Sequence, residues 1–578
     1  DNRDRVFGDV GLSYQLLPEL KISGFARADM YTQNIEEITA FGGRRVPSYS
    51  VGKYQGRELN YELMAQYNKT FGNFSINANL GGNIFKRKYT YLYQQTVGGL
   101  SSPGYYNIQA SIDRPINNSY LEERELRSAY ALTSVGYKDM IFLDASIRND
   151  VTSTLPSNNN SYWYPSVSTS FIFTELLTWK PLSYGKVRLS YANAGSDISP
   201  YGTTISYGVG TVYTPVNTLA VPDILNNPLI EPSFAHSYEI GTELQFFKNR
   251  LGIDFTYYSQ KNRKQSINLD VSGASGYGVA KINAGLIQNQ GFELSLTGKP
   301  IDTKNFGWAT TFNIARNRNE VVRLYPGLAT YTYGSTVYSS VTSYLNSYEG
   351  EAFGSLVGQA YQRDSATGGI LLGANNMPLF TAATYNFGTV LPKFTGGFLN
   401  TFRFKNIELS VMIDFQSGGQ FFSRSKMLAV RTGQDPVTVA INDKGFNVRD
   451  AVAAGGGVRI DGISAATKQP VTAYVDAQTY YNTILGRRIY EPWVFDASYI
   501  KLRELKLGYN FTKKTLGKLP VQAASLAFIA RNPAMIWQKA PKGLDPSELS
   551  TGSQSIGWYE SGQTNRVASY GLNLNITF

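Results

Sequence analysis

The sequence predicts an all-β protein: a transmembrane antiparallel β-barrel, with about seventeen strands in this chain, short turns at one end and long loops at the other. Three observations predict it. The last nine residues place Tyr570, Leu572, Leu574, Ile576 and Phe578 on one face and Gly571, Asn573, Asn575 and Thr577 on the other, the alternation of a strand with one apolar side. No apolar run approaches the roughly 18 to 20 residues that a membrane helix requires, while mean hydropathy is only -0.24. A membrane protein without such runs must satisfy its backbone between strands, which leaves the barrel as its only spanning structure, and polar lumen-facing positions keep the mean hydropathy low. Thirdly, short and long connections alternate along the whole chain. A soluble sandwich could also end on an amphipathic strand, but it has no reason to collect every long loop at one end.

The strands follow in order as hairpins: 5–16 with 20–31, 57–71 with 74–93, 126–137 with 139–149, and 163–174 with 185–194. They continue as 234–248 with 251–264, 289–299 with 306–317, 396–404 with 407–418, and 496–510 with 521–531, and the strand 565–578 closes the series. The period-two pattern is legible inside them. Ile407, Leu409, Val411, Ile413 and Phe415 oppose Glu408, Ser410, Met412 and Asp414; Phe292, Leu294 and Leu296 oppose Glu293, Ser295 and Thr297; Val187, Leu189 and Tyr191 oppose Arg188 and Ser190. Turns such as Gly72-Asn73, Lys138-Asp139 and Lys405-Asn406 are short. The large loops are expected at about 94–125, 195–233, 318–395 and 419–495, so that 1–578 reads as one barrel with short periplasmic turns and large extracellular loops.

Composition narrows the function. The chain has 578 residues with 41 Tyr, 31 Phe and 55 Gly, no cysteine, and one histidine, His236. Disulfide staples and thiolate metal sites are excluded, and zinc centres or histidine-dependent triads have almost nothing to build on. The net charge of +11 raises nucleic acid as a partner, yet no aromatic RNA-binding strand motif, zinc-knuckle spacing or basic helix is present, and the basic residues are scattered, many of them in short turns such as Lys248-Asn249-Arg250 and Lys513-Lys514. Glu122-Glu123 could be offered as an acid and base pair, but nothing sets them across a glycosidic bond. GxSxG, HExxH and P-loop patterns are missing. The expectation is a non-enzyme with no cofactor, no metal and no nucleic-acid partner.

Strand parity bears on completeness. Eight hairpins plus one strand, with periplasmic short turns, would have the chain start outside and finish in the periplasm, whereas single-chain bacterial barrels normally have an even strand number. The expectation is therefore the carboxyl-terminal part of a larger barrel. No signal peptide is seen either.

Longer segments carry a resemblance. NDVTSTLPSNNNSYWYPSVSTSFIF (149–173), YGKVRLSYANAGSDISPYG (184–202), NPLIEPSFAHSYEIGTELQFFKNRLGIDFTYY (227–258), NAGLIQNQGFELSLTGKPI (283–301) and DASYIKLRELKLGYNF (496–511) resemble the barrel of SusC/RagA-type TonB-dependent outer-membrane transporters of Bacteroidota, across nearly the whole chain. The resemblance implies a barrel of about 22 strands, five of them missing here, plugged by an amino-terminal domain and capped by a SusD-like surface lipoprotein. It further implies uptake of oligosaccharides or peptides powered by TonB acting on the plug, although neither plug nor TonB box is present in this sequence. The second reading is a SusC-like barrel serving as a structural subunit of an outer-membrane assembly or secretion complex. Outer-membrane lipid and lipopolysaccharide are expected around the barrel.

Candidate site residues follow from both lines. Arg188, Asp254, Glu293, Glu408 and Asp414 are expected to face the lumen, either as solvated wall or against a plug or path. In the loop after Arg318, Tyr331, Tyr333, Tyr338 and Tyr344 suit ligand or lid contact, or packing of the loop itself. Tyr570, Leu572, Leu574, Ile576 and Phe578 form the barrel-closing terminal strand. The glycines of AAGGG (453–457) precede no strand-to-helix turn and do not suggest a phosphate cradle.

Overall fold

The computed structural model describes the chain except residues 178, 211–215, 217, 339–340, 486–487, 518–519, 551–556 and 563–566, and gives backbone without side chains at 336–338, 341–342 and 483–484. Among the described residues every expected strand is formed, and the short connections fall between the strands that the sequence pairs. Eighteen strands among the described residues belong to one large sheet. One of these, Ile224–Leu225, is a two-residue strand parallel to its neighbour; the other seventeen are those expected.

The chain forms two compact units, Asp1–Glu175 with Val187–Ile240 and Gln260–Leu286, and Leu176–Lys186 with Gly241–Ser259 and Ile287–Phe578. Leu182–Ser196, Ser233–Phe246, Leu251–Asp270 and Val279–Asp302 each contribute residues to both.

The first unit is an antiparallel meander of β1 (Asn2–Leu17), β2 (Leu20–Thr39), β3 (Ser48–Phe71), β4 (Phe74–Leu100), β5 (Ser111–Tyr137), β6 (Ile141–Thr152) and β7 (Ser161–Ile172). Its turns use the backbone that tight hairpins need. Gly72 (φ +57°) opens the β3–β4 turn, and Lys138 and Asp139 (φ +50° and +52°) make the β5–β6 turn, the left-handed positions that match strand twist. The register aligns whole rows of side chains. Leu12, Gly24, Leu63, Gly82, Ala129, Asn149 and Trp163 stand opposite one another across seven strands on one face. On the other face the matching row is Gly11, Phe25, Glu62, Asn83, Ser128, Asp150 and Tyr162. The first face leaves Leu12 79%, Leu63 64% and Leu80 67% exposed, a large apolar surface that water does not tolerate and lipid does.

In the second unit Phe306–Arg323, Phe394–Phe404, Ile407–Ser417, Tyr499–Phe511, Ala523–Gln538 and Ser569–Thr577 pair in that order. The apolar face carries Phe312, Phe398, Phe415, Leu507, Phe528 and Leu572, with Phe312 stacked on Phe415 at 6.1 Å and Phe528 on Tyr570 at 6.2 Å. Gly396 makes room there: a Cβ would sit 2.4 Å from the Phe415 ring.

The structure corrects the loop boundaries. Residues 94–100 and 111–125, expected in a loop, continue β4 and β5, with Gln94 opposite Asn117 and Tyr91 opposite Tyr120; only 101–110 leave the ladder. Beyond the bilayer both faces of a strand meet water, so alternation fades while pairing continues. Cross-strand tyrosines hold this extension, with Tyr91 stacked on Tyr120 at 5.3 Å and tilted against Tyr54 at 5.8 Å.

The two largest loops are not irregular. The first contains Thr330–Tyr338, Val341–Tyr348, Ser355–Gly358 and Tyr385–Thr389 as a four-stranded sheet. Within the second are the hairpin Val458–Ser464 with Pro470–Val475 and the helix α1 (Arg424–Arg431), whose first turn is capped by the Ser423 hydroxyl accepting from Lys426 N–H at 3.2 Å. Leu371–Leu372 of the first loop runs parallel to Ile463–Ser464 of the second. One core joins them: Leu345, Leu356, Leu372 and Val390 pack with Phe422, Met427, Val458, Ile489, Tyr490 and Trp493, and Trp558 from a third loop completes it.

Candidate functional site

Two features of the fold concentrate chemistry: the polar face of the large sheet, and the folded head made by the outer loops.

On the polar face of the first unit, charged and tyrosine side chains form a connected lattice. The Arg27 guanidinium donates to Glu62 at 2.7 Å, and the Tyr130 hydroxyl donates to the other Glu62 oxygen at 2.5 Å. Gly81 lets the Tyr130 ring lie flat on β4, since a Cβ there would approach it to 2.6 Å. Further along, Arg148 donates to Asp150 at 2.8 Å and Ser128 at 2.7 Å, while Tyr164 also donates to Asp150. At the rim Arg124 forks onto both oxygens of Asp197 at 2.8 and 3.1 Å, and Thr152 and Thr154 donate to the same carboxylate. A bidentate pair supported in this way is among the stronger surface ion pairs. The sequence reading singled out none of these residues, because each looks like an ordinary polar position until register brings it to its partner.

The lumen-facing expectations can be placed. Arg188 is half-buried and opposite in face to exposed Val187 and Leu189. Asp254 and Glu293 stand opposite Phe255 and Phe292, whose rings stack at 6.3 Å. Glu408 accepts from Lys506 at 3.3 Å. Asp414 accepts from Arg503 Nε at 2.8 Å and from the Tyr499 hydroxyl at 3.2 Å, so it is held by two groups of the adjacent strand. Nearby, Lys501 is fully buried and donates to Asp545 at 2.9 Å and Ser547 at 2.8 Å, with Glu548 at 3.4 Å. This latch fastens the outer loop 539–550 to the strand Tyr499–Phe511. Burial alone would raise the Asp545 carboxyl, but the hydrogen bonds from Lys501 and Ser547 outweigh it and hold the group below the ordinary carboxylate value.

The loop tyrosines divide. Tyr333 packs into the shared core of the head, in contact with Phe353 at 4.2 Å and Tyr331 at 4.7 Å, and burial pushes its hydroxyl up to about 12. Tyr331 and Tyr344 are half-buried on the same sheet. The Tyr338 side chain lies outside the described residues. What the sequence did not single out is a cleft of about 400 Å³ on the head, lined by Arg431, Thr432, Arg449, Asp476, Gln478, Tyr481 and Asn482. Arg449 is spent on structure, donating to Thr438 O at 2.7 Å and to Gly433 O at 2.5 Å. Asp476 accepts from the Thr479 N–H at 2.7 Å and its hydroxyl at 2.8 Å, which lowers its carboxyl. Gln478 is exposed and Asn482 half-buried at the mouth. A polar cleft with amide and guanidinium donors suits hydroxyl-rich or amide-rich ligands.

The terminal-strand residues lie on the apolar face: Tyr570, Leu572, Leu574, Ile576 and Phe578 are 44–78% exposed, and the strand pairs on one side with Ala523–Gln538. Neither β1 nor this strand pairs along its other edge among the described residues.

Residues 1–453 match the family model described as TonB dependent receptor-like, beta-barrel. The TonB-dependent receptor P3 of Formosa agariphila is 25% identical over 549 residues, which cover 88% of this chain and 51% of that protein. TonB-dependent receptor SusC of Bacteroides thetaiotaomicron is 31% identical over 93 residues, 16% of this chain and 9% of that protein. Among solved structures, one titled the RagAB peptide transporter superposes with a TM-score of 0.76 at 18% identity, over 99% of this chain and 62% of that chain. The chain thus spans about half the length of the curated relatives it matches.

Proposed function

Because this chain belongs to the TonB-dependent receptor-like β-barrel family, an outer-membrane family, we propose that it forms the wall and outer mouth of an importer for oligosaccharides or peptides, working under a SusD-like surface lipoprotein and driven by TonB. The carrying observation is the division of the strands into an apolar face and a polar face, the latter lined in the first unit by hydrogen-bonded groups of Arg, Glu, Asp and Tyr. A structural wall needs only polar residues inward. A route for hydroxyl- or amide-rich cargo gains from many fixed donors and acceptors, each exchanging with the next. The cleft at Gln478 and Asn482 is the proposed first contact on the head, and Tyr331, Tyr338 and Tyr344 are proposed to meet ligand or lid, while Tyr333 packs in the shared core.

The test is recovery of the whole receptor from its native outer membrane, followed by identification of bound lipoprotein and small molecules and by uptake measurements. A SusD-like lipoprotein and captured saccharide or peptide are expected, and Gln478→Ala with Asn482→Ala should weaken ligand binding at unchanged surface level. Recovery of neither lipoprotein nor ligand from the active membrane would refute the proposal.

A further inference from the structure

We propose that the apolar face of the first unit holds a binding site for a phosphorylated, multiply acylated glycolipid of the outer leaflet, with an acyl chain in a groove across β2–β5 and the phosphate on a basic row above it. The groove has a volume of about 780 Å³. Its floor is low because Gly24 and Ala26 of β2, Gly82 of β4 and Ala129 of β5 carry little or no side chain there, while Leu12, Leu63 and Ile84 rise beside them. Such a depression on a lipid-facing sheet is filled by whatever apolar chain lies against it, and each buried methylene adds to the binding.

Height along the strands decides which leaflet supplies the occupant. Ile84 lies about ten residues beyond the short turn at Phe74, the length of strand that crosses a bilayer. Short turns being periplasmic, the groove sits toward the outer leaflet. Lys86 and Lys88 then occupy the next outward-facing positions of β4, at the outer interface. Arg57 stands opposite Lys88, and Arg127 opposite Ile84. Within this row Arg127 and Lys86 both reach Glu125, at 2.6 and 3.2 Å, and Lys88 reaches Glu123 at 3.0 Å. Four cations face two carboxylates, a surplus of two positive charges, and the Arg127 side chain is 70% exposed. Cationic surplus directly above an apolar groove selects a lipid whose headgroup carries more than one negative charge. A zwitterionic phospholipid would gain from the groove but not from the row.

The test uses the whole receptor in detergent with diphosphoryl, hexa-acyl lipid A as probe, read by native mass spectrometry. One Lys or Arg at an anionic headgroup contributes about five-fold, so K86Q/K88Q/R127Q is expected to bind roughly a hundred-fold more weakly. Gly24→Leu fills the groove and should lower binding while the row stays intact; a Cβ at Gly24 meets nothing closer than 3.9 Å, so the strand is not strained. Unchanged heat-modifiable migration on gels would show that both variants fold. Binding of both variants at the wild-type level would overturn the site, as would equal affinity for the dephosphorylated lipid. Competition by inorganic phosphate alone would remove the acyl groove from the proposal and so sink it. Cross-linking from Leu63 to a second copy or to another protein in place of lipid would assign the face to a different occupant and overturn it too.

Discussion

Replacing Asp545 by Asn removes the nearest carboxylate from a lysine that water cannot reach. Lys501 has no exposed side-chain surface, Asp545 is 12% exposed, and their 2.9 Å contact is supported by Ser547. Breaking a buried ion pair at one partner costs about 3–5 kcal/mol. Here the cost falls to about 2–3 kcal/mol, because Glu548 remains at 3.4 Å with half of its side chain in solvent. That energy corresponds to roughly 30- to 150-fold, and it acts locally, on the loop that Lys501 fastens. Hydrogen exchange of residues 539–550 in the purified receptor should accelerate by about that factor, while amides of the strand Ile407–Ser417 stay unchanged. The control is Lys539→Gln, which breaks an exposed pair with Asp496 at 2.8 Å and should alter exchange by no more than about five-fold. The pH dependence has a fixed sign. Since Asp545 is held below its ordinary value in the folded protein, the latch contributes fully above the usual carboxylate range and is lost as pH falls through the depressed value. Exchange that is indifferent to D545N, or a loop that loosens on raising the pH from 5 to 7, would refute the reasoning.

Other outcomes are expected. Phe578→Glu should reduce outer-membrane insertion and leave ligand affinity unchanged, since Phe578 is 78% exposed on the apolar face at the end of the terminal strand; normal surface levels with selectively lost uptake would contradict this. Leu574→Arg should cost about 2–4 kcal/mol if that residue lies near the bilayer midplane, measured as a fall in folded yield or denaturant midpoint. Ile489→Ala removes a fully buried side chain from the head core and should cost about 2–4 kcal/mol, with protease sites opening in residues 330–390 as well as in 420–495. Cleavage confined to the second loop would show that the core is not shared.

The membrane strands were legible because their chemistry is local. A strand with lipid on one side and water on the other writes its orientation into every second residue, as in Ile407 to Asp414 and Tyr570 to Phe578, and short turns such as Lys138-Asp139 mark where it reverses. Beyond the bilayer that signal ends, which is why 94–100 and 111–125 read as loop although they remain paired. The head was illegible for a related reason. Its core draws Leu345, Leu372, Phe422, Ile489 and Trp558 from segments far apart in sequence, and no periodicity connects them. The partners of Glu62, Asp150 and Asp197 were hidden likewise, since pairing register, not spacing, joins Arg27, Arg148 and Arg124 to them.

The shared core of the outer loops constrains how such a mouth can diversify. Two loops that bury one another's side chains cannot be redesigned one at a time: a new side chain at Leu372 alters the packing offered to Val458 and Ile463 across the chain. Under the proposed function, recognition of new cargo would then arise by exchanging the pair as a cassette, carried on an unaltered set of membrane strands, or by changes confined to exposed positions such as Gln478.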